Sequence, residues 1–317
     1  MVKIMRLYNS FKINNNHKNS IILIGNFDGV HLGHIEVLNQ AKKLSKKFNL
    51  PLSVLTFDPH PREFFSKNEN FFLLQKLSDK TQLLKKNNID YLIKLKFNKL
   101  LSELTPEQFV HKVLFESLSL KHIFVGKDFK FGKNRQGDIN LLEILCSKLN
   151  IGLSSVNLKN YDGNSISSTK IRENLKLGKI EKANKLLGRP YMISGLVIEG
   201  DKRGRQIDFP TANISLGNLI RPAFGVYAVL IEGLGGKIFK GIANIGKRPT
   251  VNDRGILLEV NIFDFNEDIY GKKLFISLIN FIREEKKFDG IESLKLQIIK
   301  DVEISKSFLK SIILNKG

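Results

Sequence analysis

The chain has 317 residues, 42% of them apolar, with one Cys and no Trp, and carries 51 Lys and Arg against 31 Asp and Glu for a formal charge of +20. That length suits two domains of about 150 residues, each able to bury its own core, and excludes a disordered chain. No apolar run approaches the ~20 residues of a membrane helix, residues 1–6 lead into polar Asn14–Asn16 instead of a signal core, and the lone Cys146 has no internal disulfide partner, so a cytoplasmic protein is expected.

In chain order, short β-branched runs at 20–25, 52–57, 91–95, 122–126 and 152–156 alternate with helical patterns at 34–48, 78–86, 106–118 and 139–149. Such alternation predicts a parallel sheet covered by helices on both faces, with ligands at the carboxyl ends of its strands. Two short helical segments, 169–175 and 179–187, end at Gly188-Arg189-Pro190, a C-cap glycine followed by a breaker, which places a domain boundary between residues 189 and 190. Beyond it come alternating strands at 191–199, 225–232, 237–245, 257–265 and 273–281, then a helix at 291–310. That order predicts a small antiparallel barrel with a C-terminal helix. The basic excess lies in the first part: residues 1–189 hold 32 basic and 16 acidic side chains, residues 190–317 hold 19 and 15. Most of it is Lys dispersed over surface-type helices, with no Arg cluster and no interleaved aromatics. It reads as a solvated surface before a field for anionic small molecules, and least as a nucleic-acid footprint.

The strand at 20–25 runs straight from Gly25 into Asn26-Phe27-Asp28-Gly29-Val30-His31-Leu32-Gly33-His34. Glycines at a strand-to-helix turn let a phosphate approach the backbone, and the helix N-terminus offers unpaired N–H groups and partial positive charge. The three-residue separation puts His31 and His34 on one face of the first helical turn, where they can follow charge developing on a transferring phosphate. A capped surface turn and a zinc pair are the alternatives, and zinc lacks a third ligand nearby.

The segment Gly25–His34 resembles the phosphate-binding signature of the HxGH nucleotidyltransferases, and its wording resembles the bacterial bifunctional riboflavin kinase/FAD synthetases. Four further segments agree with that family in order and spacing: 56–61 (Thr-Phe-Asp-Pro-His-Pro), 125–132 (Val-Gly-Lys-Asp-Phe-Lys-Phe-Gly), 166–172 (Ile-Ser-Ser-Thr-Lys-Ile-Arg) and 187–191 (Leu-Gly-Arg-Pro-Tyr). The resemblance implies an α/β nucleotidyltransferase of the HxGH type, a Rossmann-like parallel sheet, over 1–189, and a small β-barrel riboflavin kinase domain over 190–317. It makes Gly25, Phe27, Asp28, Gly29 and Gly33 part of the phosphate loop, Pro59 and His60 a wall of the flavin site, and Ser167, Ser168 and Thr169 a clamp on ATP phosphates with Arg172 one turn on. Read alone, the Ser-Ser-Thr run is an N-cap, and Asp128 at a strand end either caps its loop or orients a ribose or flavin group. Lys130 stands where the family usually has Arg, losing bidentate geometry.

In the second part, Gly200-Asp201-Lys202-Arg203-Gly204-Arg205 is a Gly-bounded basic turn able to hold phosphates, without the spacing of a Walker loop. Phe209-Pro210-Thr211-Ala212-Asn213 offers a hydroxyl and an amide oxygen two residues apart, hard donors suited to Mg²⁺. The segment resembles the metal–nucleotide motif of riboflavin kinases, which assigns Mg-ATP to Thr211 and Asn213. Glu259, inside the apolar strand at 257–265, could accept a proton from an attacking hydroxyl, and the resemblance makes it the general base. Arg283 and Phe288 resemble the segment bordering the flavin. Asp208, where the family usually has Gly, and Asn261, where it commonly has His, depart from the pattern.

Two reactions are thereby implied. The barrel would phosphorylate riboflavin to FMN with Mg-ATP through Glu259. The first domain would adenylate FMN to FAD with a second ATP, releasing pyrophosphate, with His31, His34 and Arg172 acting as catalytic groups and Mg²⁺ present in both steps. Expected partners are riboflavin, FMN and ATP, with no nucleic acid and no membrane, in a monomer or weak homo-oligomer. A chain active in only one half, or a nucleic-acid-binding nucleotidyltransferase, are the alternatives.

Overall fold

The computed structural model describes residues 5–10, 19–66, 72–156, 160–161, 164–200, 209–247 and 256–310. They form two compact units, Met1–Asn70 with Leu77–Ser167, and Phe71–Lys76 with Ser168–Gly317.

The first unit runs β1 (Arg6–Tyr8), β2 (Ile21–Ile24), α1 (Leu32–Phe48), β3 (Leu52–Asp58), α2 (Pro61–Phe65), α3 (Leu77–Lys86), β4 (Tyr91–Lys96), α4 (Lys99–Ser102), α5 (Pro106–Gln108), β5 (His122–Gly126), α6 (Ile139–Lys148) and β6 (Gly152–Val156), then a small antiparallel ribbon, β7 (Asn160–Tyr161) with β8 (Asn164–Ser165). The six longer-range strands pair in parallel, in the order β1-β4-β3-β2-β5-β6. Strand β2 is buried on both faces, and the alternation of its side chains divides the core into two layers. Ile21 and Leu23 pack with Val37, Leu38 and Ala41 of α1. Ile22 and Ile24 pack with Phe109, Val113 and Leu114 on the other side. Beyond edge strand β1, the strand order reverses between β2 and β5, and the crevice for a ligand opens at the carboxyl ends of these two strands.

The helix expected over 106–118 differs in kind. After the single turn of α5 it continues as a π-helix, Phe109–Ser117. At 3.6 residues per turn, Phe109 and Leu118, nine residues apart, would face opposite ways. In the wider turn, where Leu118 N–H reaches back to the Val113 carbonyl, both are buried in the same core layer.

The second unit contains α7 (Ser168–Lys176), α8 (Ile180–Leu187), β9 (Tyr191–Ile198), β10 (Ala212–Ser215), β11 (Gly225–Leu234), β12 (Lys237–Lys247), β13 (Ile256–Ile262), β14 (Lys273–Glu284) and α9 (Ile291–Lys310). Its six strands close an antiparallel barrel in the order β10-β13-β12-β11-β14-β9. Strand β10, unexpected from the sequence, is the closing stave: it pairs with β13 on one side and β9 on the other, removing two open edges. Helices α7 and α8 pack within this unit. The Leu175 carbonyl accepts from Ala223 N–H at 2.9 Å, and Asn184 bridges two staves, its amide donating to the Leu278 carbonyl at 2.9 Å and accepting from Tyr191 N–H at 2.7 Å. The Phe71–Lys76 segment packs here too, with Ile220 N–H donating to the Leu73 carbonyl at 2.8 Å and Lys76 Nζ to the Ser194 carbonyl.

Candidate active sites

The carboxyl end of β2 feeds a tight loop and then α1. His31 is the N-cap of that helix, and the two histidines cap it reciprocally: His34 N–H donates to His31 Nδ1, and His31 N–H donates to His34 Nδ1, each at 3.3 Å. With both Nδ1 atoms accepting, each neutral ring carries its proton on Nε2 and presents a donor away from the backbone. The rings stack with centroids 3.6 Å apart, His31 fully buried and His34 half-buried, and Phe27 lies against His34 at 5.0 Å. No acidic side chain occupies the first turn of α1, and the Leu32 and Gly33 N–H groups have no intrahelical partner. These features make a positive, donor-rich end.

The loop itself is bent through left-handed positions at Phe27 (φ 48°), Gly29 (φ 87°) and Val30 (φ 37°). A β-branched residue there is a conformational outlier, of the kind that functional loops hold under constraint. Gly33 is required for another reason: a Cβ would lie 3.1 Å from the His31 ring and 3.3 Å from the Ile166 carbonyl. That contact brings the 166–167 stretch over the start of α1, so Ser167 belongs with the two histidines. Ser168, Thr169 and Arg172 sit on α7, in the other unit, where Arg172 Nε donates to the Phe72 carbonyl at 2.7 Å and its guanidinium lies 5.4 Å from the Phe72 ring centre.

Asp128 is exposed in the loop after β5, the other strand of the switch point, with Oδ1 against Gly126, whose Cβ would lie 2.9 Å from it. Lys130 pairs with Asp138 at 3.6 Å. Pro59 and His60 follow β3, and His60 caps α2 by accepting from Arg62 N–H at 3.1 Å. Beside them is a group that sequence reasoning missed: Phe64 and Phe65 of α2 with Phe97, at centroid separations of 5.1 to 5.7 Å, Phe65 being 65% exposed. The signal was the Phe-Phe pair that begins three residues past Pro61. A second missed residue is Lys80 of α3, only 7% exposed, whose Nζ donates to the Asn26 carbonyl at 2.9 Å. Burial pushes its ammonium below the ordinary lysine value, opposed by Asp28, Asp58 and Glu63.

In the barrel, register places three polar residues in one row. Asn213 of β10 stands opposite Glu259 of β13, and Glu259 stands opposite Asn244 of β12. Directly paired residues share a face, so two amides flank the carboxylate. Asn213 is buried, and a Cβ on Gly200 would lie 2.2 Å from its Nδ2, so glycine at 200 is what leaves room for that amide. Thr211, half-buried, lines a cavity of about 610 Å³ with Val197, Val260 and Phe265. Asn261 Nδ2 donates to the Pro210 carbonyl at 2.8 Å, which fixes the approach to Thr211. Glu285, which the sequence reading did not single out, meets Asn244 and is pushed up by burial and by Glu259. Arg283 is committed elsewhere: Nε donates to Asp301 Oδ1 and Oδ2 at 3.0 and 2.9 Å, Nη2 to Oδ2 at 2.7 Å, and Phe288 covers the guanidinium at 5.7 Å. Lys202, Arg203, Gly204 and Asp208 lie outside the described residues.

Comparison with known proteins then gives the following matches. A family model described as FAD synthetase matches residues 13–170, and one described as riboflavin kinase matches residues 187–309. A bifunctional riboflavin kinase/FMN adenylyltransferase of Haemophilus influenzae is 42% identical over 290 residues, spanning 92% of this chain and 94% of its own length. Its counterpart in Buchnera aphidicola is 42% identical over 317 residues, spanning 98% and 100%. A solved structure described as a macrolide-efflux protein from Streptococcus pneumoniae superposes with a TM-score of 0.84 at 31% identity, over 96% of this chain and 99% of that one. Among the described residues, no helix is long and apolar enough to cross a membrane.

Proposed function

The chain belongs to the bifunctional riboflavin kinase/FMN adenylyltransferase family, and on that premise we propose how its own residues divide the two reactions, FMN adenylation over 1–189 and riboflavin phosphorylation over 190–317.

In the first domain, an FMN phosphate oxygen attacks the α-phosphorus of ATP and pyrophosphate leaves. A phosphate monoester is largely ionised at pH 7, so no protein base is required. What the chain supplies is stabilisation of the charge building on the transferring phosphate. The Nε2–H donors of His31 and His34 and the end of α1 are preorganised for that. Asp28, Gly25, Gly29 and Gly33 shape the loop, with Ser167 beside it for the nucleotide phosphates, and the clamp role of Ser168, Thr169 and Arg172 rests on the family resemblance alone. Pro59, His60 and the Phe64–Phe65–Phe97 cluster receive the flavin ring, for which exposed, edge-packed aromatics provide a stacking surface. Asp128, across the switch point, orients the sugar or flavin.

In the barrel, Glu259 accepts the proton of the ribityl hydroxyl as that oxygen attacks the γ-phosphorus of ATP, and ADP leaves. Asn213 and Asn244 hold the carboxylate between them. Thr211 Oγ and Asn213 Oδ1 would hold Mg²⁺: both are hard oxygen donors, two residues apart on one face, in a space that a side chain at 200 would fill. Bound there, the ion supplies neutralisation of phosphate charge. Lys202, Arg203 and Gly204, outside the described residues, are assigned to the nucleotide phosphates by resemblance. Arg283 acts by anchoring α9 to β14 beside the flavin-bordering segment.

The observation that carries the first assignment is the reciprocal His31–His34 cap at the switch point. Incubation with riboflavin, ATP and Mg²⁺ followed by chromatography should yield FMN and then FAD. Appearance of FMN alone, with added FMN left unconverted, refutes the adenylation half.

A further inference from the structure

Lys80 is a buried cation that neither reaction, as described above, employs. It reaches from α3 beneath the strained loop: Nζ donates to the Asn26 carbonyl at 2.9 Å and to Thr56 Oγ1 at 3.3 Å, while Thr56 Oγ1 itself donates to the Asn26 carbonyl at 3.2 Å. The three groups close a triangle at the point where β2 becomes the loop. Phe27 and Val30, immediately beyond, hold left-handed backbone that costs free energy for residues with a side chain, and a pinned peptide before them helps to keep it in place. The loop also presents an electrostatic problem. Asp28, 3% exposed, places a carboxylate inside a segment that must receive phosphates, and a buried charge is tolerated only when it is paired. From α3, the Lys80 ammonium lies in the field of three carboxylates, Asp28 first and then Asp58 and Glu63.

We propose that Lys80 is a positioning residue for adenylyl transfer, pinning the Asn26 peptide and serving as the buried counter-charge that lets the Asp28-bearing loop accept the α-phosphate of ATP. The inference rests on the reading of the first domain as the adenylyltransferase. It assigns no proton transfer to Lys80: the ammonium stays behind the loop and acts through Asn26 and Asp28.

The experiment uses the full chain, with FMN adenylation and riboflavin phosphorylation measured on the same preparations and kcat expressed per ATP-binding site. K80M should lower adenylation kcat by about 100-fold, the order of loss that a small misplacement of a reacting group produces, with the KM for ATP little changed and phosphorylation intact. If the effect runs through the charge of Asp28, the same K80M change made in a D28N background should cost only about 5-fold. Equal losses in both backgrounds overturn the proposal. So does K80M with kcat per binding site unchanged, the behaviour of a merely structural lysine. If K80M does not fold, K80R decides: it keeps the charge and should retain adenylation within about 5-fold, whereas a loss of about 100-fold in folded K80R overturns the idea. A wild-type chain that makes no FAD from FMN and ATP fails the underlying assignment instead, which is a different outcome from any variant's.

Discussion

Replacing Asp301 by Ala should destabilise the barrel unit more than any single change at its surface. The Asp301 carboxylate, 2% exposed, is shared by Arg283 Nε and Nη2 and by Gln297 Nε2 at 2.8 Å, and the Arg283 side chain is itself 15% exposed. Removing the acid leaves a guanidinium with little access to water and without its hydrogen-bonded counter-charge, a loss of about 3–5 kcal/mol for pairs of this kind. At ~2–4 °C per kcal/mol for a domain of roughly this size, the melting temperature should fall by about 6–20 °C. Since two units need not melt in one transition, the assay is calorimetry, with the affected transition identified by loss of riboflavin phosphorylation after stepwise heating. A double change to apolar residues, R283M with D301L, should recover most of the loss, because two apolar side chains leave no stranded charge. A fall below ~2 °C for D301A, or a double variant as unstable as the single one, would show that the bidentate pair does not hold α9. The double variant also tests Arg283 directly: phosphorylation with an unchanged KM for riboflavin fits an anchor, and a raised KM fits contact with the flavin.

H31A and H34A should each abolish FAD formation and leave FMN formation intact, while E259Q should lower FMN formation by about 10²–10⁴-fold, the usual worth of a general base, and still permit adenylation of supplied FMN. Chromatography of products separates the cases, and equal impairment of both reactions in a folded variant contradicts two sites. The dispersed Lys of residues 1–189 should give no submicromolar affinity for tRNA at physiological salt, as read by filter binding across a salt series. His122, held by burial below the ordinary histidine value with its ring against Ser154 Oγ at 2.8 Å, binds a proton more readily unfolded than folded. The first unit should therefore lose stability as pH falls through about 6.5 and gain no further from this group above it. H122Q should flatten that dependence in thermal melts between pH 5 and 7.5, and an unchanged slope assigns it to other groups.

Where short β-branched runs stand between longer helical patterns, the fold was legible. The strands expected at 122–126 and 152–156 appear with those bounds, and the helix at 291–310 likewise. What escaped lacked that contrast. Arg6–Tyr8 is an edge strand with two exposed residues of three, and Ala212–Ser215 is four residues long and begins two residues after Pro210. The widened turn at Phe109–Ser117 escaped because apolar residues four and five apart read as an ordinary helix until the core decides between them. The same holds for the sites. His31 and His34 announced themselves because their separation is itself the geometry of a cap. Lys80 did not, since a lysine on an amphipathic helix reads as solvated, and only the fold brings Asn26, Thr56 and Asp28 around it. The pairing of Arg283 with Asp301 escaped because the two are eighteen residues apart, on β14 and in the middle of α9, and only the fold brings them together.

The segment Phe71–Lys76 makes the two halves of this chain inseparable as pieces of polypeptide. It interrupts the sequence of the nucleotidyltransferase unit, yet its hydrogen bonds and its buried Phe72 and Leu74 belong with the barrel unit, as do α7 and α8. A gene cut at residue 190 would therefore give a kinase fragment missing one wall of its own core, with Leu219 and Ile220, now fully buried, stripped of the strap that bonds beside them. The other fragment would carry that strap and two amphipathic helices with no barrel to rest on. The two chemistries can be silenced one at a time by point changes, but the polypeptide is stitched like a garment whose lining passes through the outer cloth, and it has no clean seam along which to part.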